Sequence, residues 1–309
     1  MNLQTFIRSA LLVLTSLSAA TISPQQREDF IKVQAPNMKA GLDEAIRAAN
    51  GSQSRGSFWV AYPLPLRQDV VIDPEKGEFV GEADDIHKLS VFLGRASTSP
   101  GGTRNAGVFL LYGPGGASVT GVEIYNLDHA GKYRGLPVYW LGKPAAVESM
   151  SLLRGIINSN PGGAVAESAT RALALHDDPS VRGSLEEIAR ASRDERARRM
   201  ALHWLGFTGG ENDFLARLVA DDGESVPVRK AAATALGAGS PPVSVSTLTG
   251  LYENIAELGV RRALLYSISI NPDQHAAADF LRKVVAHDFD NEARRQAAYW
   301  LKEKAEEKR

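Results

Sequence analysis

Ala197–Gly206 reads ARRMALHWLG, and Val228–Gly237 (VRKAAATALG) and Val260–Ser269 (VRRALLYSIS) follow the same pattern. In each copy a basic doublet precedes apolar residues spaced three or four positions apart, which is the spacing of one helix face. Further copies lie at Val165–Ala174 and Ala293–Lys302. One large aliphatic residue recurs at steps of 31 to 33 positions, as Leu173, Leu205, Leu236, Ile268 and Leu301. A repeat of this length predicts a stack of similar helical units.

A second helical stretch precedes each copy. These first helices are predicted at Val147–Ile157, Val181–Ala191, Asp213–Ala220, Val245–Leu258 and His275–Ala286. Breaker-rich turns such as Asn160–Gly163 (NPGG) and Gly239–Pro242 (GSPP) separate the helices. One pair cannot bury its apolar stripe alone, so neighbouring pairs must stack on one another. Residues 144–309 are therefore predicted to form an α-solenoid of about five helix pairs.

The repeats carry a family resemblance. Two helices per unit, a period in the low thirties and the second-helix pattern (Val/Ala)-Arg-(Arg/Lys)-x-Ala-x-x-x-Leu-Gly resemble HEAT repeats. The closest resemblance is to the short bacterial HEAT-like repeats that also occur in phycobilin lyases. It covers residues 144–309 and implies a surface for protein binding. The lyases show that such repeats can host catalysis, but no residue of this chain carries that activity over.

Residues 51–143 have a different pattern, with short runs rich in β-branched and aromatic residues. The predicted strands are Phe58–Leu64, Val70–Ile72, Leu89–Leu93, Gly107–Tyr112, Val119–Leu127 and Leu136–Leu141. They predict a small mixed or mainly antiparallel sheet, which could be a sandwich, a barrel or an open sheet. Gln25–Asn50 is predicted to be helical. The fold class is therefore α+β, with a helix and β-rich domain over residues 21–143 and the solenoid after it.

Residues 1–20 resemble an export signal. Arg8 precedes the apolar run Ser9–Ala20 (SALLVLTSLSAA), which ends in the small residues that precede a cleavage point. A membrane-spanning helix needs roughly 20 apolar residues, and this run is shorter. The sequence predicts cleavage after Ala20 and a periplasmic or extracellular protein. A membrane anchor is the competing interpretation.

The composition excludes several kinds of function. A net charge of −1 gives no overall attraction to nucleic acid, and the acids interleaved with the basic doublets weaken that reading further. The absence of cysteine removes disulfides, thiol nucleophiles and cysteine metal sites. We therefore expect no nucleic-acid partner, and no motif indicates a cofactor.

The basic doublets divide into two sets of side chains. The first members, Arg198, Arg229, Arg261 and Arg294, each follow an acid by four or five positions. These acids are Asp194, Glu224, Glu257 and Asp290. We expect the first members to form a structural ladder with acids of their own or the neighbouring repeat.

The second members lie about 100° further round the helix, and each is followed at i+4 by a polar or aromatic residue. The pairs are Arg199/His203, Lys230/Thr234, Arg262/Tyr266 and Arg295/Tyr299. On the concave side of a solenoid they would form a stripe that binds a protein or peptide, for example an acidic or extended segment. The alternative is a solvated face that only keeps the protein soluble.

Catalytic chemistry is harder to find. There is no His-Glu-x-x-His and no Gly-x-Ser-x-Gly, so no catalytic residue is assigned. Glu82–His87 (EADDIH) and the His176–Asp178 turn are weak metal candidates without the spacing of a known site. The sequence thus favours an exported, non-catalytic interaction scaffold. The alternative is an enzyme or regulator whose active site lies in the β-rich domain, positioned by the solenoid.

Overall fold

The computed structural model describes residues 30–52, 56–67, 104–128, 133–160, 163–209, 212–239 and 242–307. The strands within these residues are β1 (Ile31–Lys32), β2 (Phe58–Leu64), β3 (Ala106–Tyr112), β4 (Val119–Asn126) and β5 (Val138–Trp140). The described helices of the N-terminal part and the first two pairs are α1 (Met38–Gly51), α2 (Ala146–Ser159), α3 (Ala164–Ala174), α4 (Val181–Ala191) and α5 (Glu195–Thr208). The remaining described helices are α6 (Asn212–Ala220), α7 (Val226–Ala238), α8 (Val245–Asn254), α9 (Leu258–Ser269), α10 (Gln274–His287) and α11 (Asn291–Glu307). The α+β fold class is confirmed.

The five strands form one mixed sheet in the order β1-β5-β2-β3-β4. The strand β5 is parallel to both β1 and β2, whereas β2, β3 and β4 are successively antiparallel. The prediction of a small mixed sheet is confirmed. The predicted strands Val70–Ile72 and Leu89–Leu93, the metal candidate Glu82–His87 and the signal at residues 1–20 lie outside the described residues.

The predicted N-terminal helix Gln25–Asn50 is wrong at its start, as far as the structure describes it. Ile31–Lys32 is a strand beside β5, and the helix starts only at Met38. Pro36 has no backbone N–H and disfavours helical conformation in the residue before it. Asn37 then caps the helix, because its side chain accepts a hydrogen bond from the Ala40 amide at 2.9 Å.

The ten helices α2–α11 pack as five successive pairs, an arrangement consistent with a solenoid. The second helices α3, α5, α7, α9 and α11 contact one another in turn. Their predicted inner face is confirmed as buried at Ala197, Ala201, Leu205, Val228, Ala232, Leu236, Val260, Leu264, Ile268, Ala293 and Ala297. Leu301 is half-buried, because α11 is the last described helix and has no further pair stacked on it.

The first repeat joins the helices to the sheet, and it has Ala166-Glu167 where the later copies have a basic doublet. The chain after β2 pairs with the end of α3, where the Asp177 amide donates to the Pro65 carbonyl (2.7 Å) and the Arg67 amide to the Leu175 carbonyl (2.9 Å). The helix α3 also contacts β4. One continuous hydrophobic core therefore runs from one face of the sheet through the repeats, while an aromatic cluster around Trp59 covers the other face.

Candidate functional site

The first arginine of each doublet is tied to neighbouring helices. Arg198 donates from Nε to the Ala189 carbonyl (2.8 Å) and from both terminal nitrogens to the Glu224 carboxylate of the next repeat. Arg229 is buried and donates to the Val219 carbonyl at 3.0 Å. The prediction that these arginines form a ladder with acids is confirmed for Arg198, for Arg229, which pairs with Asp222 at 2.8 Å, and for Arg261, which pairs with Asp288. Arg294 instead donates to a backbone carbonyl.

The last two doublets converge on the turn between α10 and α11. Arg261 pairs with the Asp288 carboxylate at 2.6 Å, and Arg294 donates to the Asp288 carbonyl at 2.8 Å. Asp194 and Glu257 each act as a helix cap, because each accepts a hydrogen bond from a backbone amide three residues later.

Six of the eight residues proposed for binding line one open groove of about 750 Å³. These six are Lys230, Thr234, Arg262, Tyr266, Arg295 and Tyr299. Gly259, Ala263, Glu292, Gln296 and Trp300 complete the lining. Every lining residue belongs to a second helix, namely α7, α9 or α11. The helical repeat therefore brings residues more than sixty positions apart in sequence onto one surface.

Two internal acids hold the arginines of the groove. Arg262 donates from Nε and Nη2 to the Asp290 carboxylate at 2.9 and 3.1 Å, and Arg295 donates from Nε to Glu292 at 2.9 Å. The Arg262 hydrogen bonds hold the pKa of Asp290 below its usual range, and Arg295 does the same for the pKa of Glu292. The Glu257 carboxylate also acts on Arg262 and lies beside Gly259 of the groove lining. Three carboxylates thus accompany the three cations, and Lys230, which is exposed, is the groove cation that makes no ion pair within the described residues.

Aromatic rings line the end of the groove nearest α11. The Trp300 ring lies 5.6 Å from the Tyr266 ring and 5.0 Å from the Tyr299 ring, measured between centroids. Tyr299 is 52% exposed. Trp300 lines the groove as well, although it was not among the predicted binding residues. A flat apolar side chain could be held here by ring contacts, which are strong anchors in protein interfaces.

The structure leaves Arg199 and His203 outside this groove. Arg199 is half-buried and does not line it. His203 is buried, with its ring centroid 4.8 Å from that of Phe207 on the next turn of α5. Burial, reinforced by the positive charge of Arg171, lowers the pKa of His203 to about 4. His203 is therefore a neutral packing residue near neutral pH.

This burial predicts acid sensitivity. Below the ordinary histidine pKa of about 6.5, the unfolded chain binds a proton that the folded state excludes. The free energy of unfolding therefore falls as pH drops from about 6.5 towards about 4, and His203 accounts for a loss of about 2 kcal/mol at about pH 5. Urea unfolding at about pH 7.5 and about pH 5 measures this loss. The His203→Leu variant should lose less free energy of unfolding between these two pH values. If the free energy of unfolding of both proteins falls equally with pH, His203 is not the source of the acid sensitivity.

A buried polar cluster connects the sheet to the first repeat. Ser149 Oγ lies 2.7 Å from His176 Nε2 and 3.0 Å from the Tyr62 hydroxyl, and His176 Nδ1 lies 2.9 Å from the Ala172 carbonyl. Ser149 and Tyr62 are fully buried and His176 is 1% exposed. The surrounding residues shield this serine–histidine pair from solvent. Its hydrogen bonds join β2, α2 and α3.

Fold and groove together define an α+β protein with a helical-repeat C-terminal part and a surface groove lined by cationic and aromatic side chains. No protein-family model, curated protein or solved structure matches the chain. Among the described residues, no group of three or more metal-ligating side chains is positioned to hold a metal ion. Within the same residues, no helix combines the length and apolarity needed to cross a bilayer.

Proposed function

We propose that this protein is a non-catalytic interaction scaffold that binds a protein or peptide segment in the groove of α7, α9 and α11. The observation that carries the proposal is the shared lining of that groove by Lys230, Arg262, Arg295, Tyr266 and Tyr299. Cations give electrostatic complementarity to an acidic partner, and exposed tyrosine supplies contact area at a small entropy cost.

Two further parts of the proposal rest on sequence. The period, the helix pairs and the second-helix pattern support a HEAT-like solenoid, whose concave side would be the side lined by the second helices. The apolar run Ser9–Ala20 supports export to the periplasm or the extracellular space. The groove needs no cofactor for equilibrium binding.

The test is affinity capture from envelope extract of the native host with the full chain and a groove variant. Lys230→Glu with Tyr299→Ser reverses the cation without an ion pair and removes the most exposed ring of the groove. We expect the captured partner to bind at least about tenfold more weakly, which corresponds to about 1.4 kcal/mol. Titration of the purified partner by surface plasmon resonance gives the ratio.

The matched control lies on the first helix of the last pair. Lys283→Glu with Val285→Ser makes the same charge change and also removes one exposed apolar side chain, on α10 outside the groove. This variant should retain the partner. If the groove variant and the control capture the same partner equally well, the groove is not the binding site and the proposal fails.

A further inference from the structure

The groove residues form two parallel rows that cross three helices. The first row contains the cations Lys230, Arg262 and Arg295, one on each of α7, α9 and α11. The second row lies one helical turn further on, at Thr234, Tyr266 and Tyr299. A ligand that contacts a whole row must therefore run across the helices, and its repeat must match the distance between neighbouring helices.

The distance between neighbouring second helices is short, because their side chains and backbones are in contact. An added Cβ at Gly237 of α7 would lie 2.6 Å from the Ser267 Cβ of α9, and Tyr266 of α9 reaches Trp300 of α11. Packed helices have axes about 8–10 Å apart, so each row repeats at about this spacing. A polyproline II chain turns once in three residues and rises about 9 Å in doing so. A β-strand returns to the same face after only about 7 Å.

Polyproline II geometry therefore matches the spacing of the cation row at every third side chain, whereas the two-residue repeat of a strand falls short of it by about 1–3 Å per helix. The internal ion pairs sharpen this match. Asp290 and Glu292 occupy the Nε–Nη2 edges of Arg262 and Arg295, while Nη1 of each makes no hydrogen bond with the described residues. Each guanidinium group thus has one donor group left for a ligand.

The aromatic side chains of the groove would supply further binding contacts beside the cations. Proline-rich polyproline II segments dock into grooves lined by aromatic side chains, because the chain is already ordered before it binds. Tyr266, Tyr299 and Trp300 provide such rings beside the cations. We infer that the groove binds a proline-rich segment in the polyproline II conformation, with acidic side chains at every third position. This inference rests on the proposed function and names its partner.

The test measures fluorescence anisotropy of labelled nonapeptides with the full chain. The first peptide has three Glu-Pro-Pro triplets, and a block isomer has its three glutamates together followed by its prolines. A neutral peptide replaces Glu by Gln, and a strand-forming peptide alternates Glu and Thr. We expect the triplet peptide to bind at least about tenfold more tightly than each of the other three. Lys230→Glu and Tyr299→Ser should each weaken it, while Lys283→Glu should not.

Several results would overturn the inference. If the triplet peptide and its block isomer bind equally well, the groove does not require an acid at every third position. If the strand-forming peptide binds more tightly, the bound conformation is a β-strand and not polyproline II. Binding that is insensitive to Lys230→Glu and Tyr299→Ser places the peptide elsewhere. No peptide binding also refutes it, and the capture experiment then decides separately whether the groove binds another kind of segment.

Discussion

Gly237→Val is expected to destabilise the fold by about 3 kcal/mol or more. A Cβ at this position of α7 would lie 2.6 Å from the Ser267 Cβ and Oγ and 2.7 Å from its Cα. The last of these is a backbone atom, so the clash cannot be relieved by a side-chain rotation alone. The helices α7 and α9 would have to separate. That movement would also strain the hydrogen bond from Ser267 Oγ to the Ala233 carbonyl, which is 2.8 Å long.

A matched pair of alanine variants isolates the packing effect. Gly250→Ala in α8 places its Cβ in open space and should stabilise the protein by up to about 1 kcal/mol, because alanine favours the helix over glycine. Gly237→Ala makes the same chemical change and should act in the opposite direction. Urea unfolding of the three variants and the parent chain gives the free energies. A neutral or stabilising Gly237→Ala would show that the backbones of α7 and α9 are not in contact.

The repeated half of the fold is the part that the sequence predicts best. Each copy of the second-helix pattern marks the same buried positions, so five copies reinforce one another where one would be ambiguous. Gly206 and Gly237 occupy the same position in successive copies, and both pack against the backbone of the next second helix. The pattern indicates a helix there, but only the packing explains why the position is glycine.

The sheet order is not accessible from local pattern. Ile31–Lys32 pairs with Tyr139–Trp140, more than a hundred positions away, and nothing in either segment specifies that partner. The early start predicted for α1 has the same origin. The predicted helix began at Gln25, whereas Pro36 and the pairing of Ile31–Lys32 with β5 delay its start to Met38.

The residues of the candidate groove could be predicted in the last three repeats, which are equivalent, but not in the earlier repeat that carries Arg199 and His203. The pairs Lys230/Thr234, Arg262/Tyr266 and Arg295/Tyr299 share one surface. The next turn after His203 carries Phe207, whose ring packs against the imidazole. The corresponding positions of the later copies are Ala238, Ile270 and Glu303, so this aromatic contact is particular to the earlier repeat.

Arg261→Ala should cost about 3–5 kcal/mol, the loss expected when one partner of a buried ion pair is removed. Its guanidinium donates to Asp288 at 2.6 Å and lies 4.3 Å from the Tyr252 ring centroid and 4.6 Å from that of Phe289. The Asp288 side chain is only 6% exposed. Without the arginine its carboxylate keeps the Tyr252 hydroxyl and the Asp290 amide as donors but loses the opposite charge.

Two further variants separate the ion pair from a general loss of packing. Arg295→Ala removes the exposed partner of Glu292 and should cost far less stability than Arg261→Ala, because solvent screens this pair. Arg261→Met with Asp288→Asn removes both buried charges and keeps a side-chain oxygen as acceptor near the Tyr252 hydroxyl and the Asp290 amide, so it should recover part of the stability that Arg261→Ala loses. Thermal and urea unfolding of all variants supply the comparison. If Arg261→Ala and Arg295→Ala cost the same small amount, the Asp288 carboxylate is solvated, and the ladder contributes little to holding the last two repeats together.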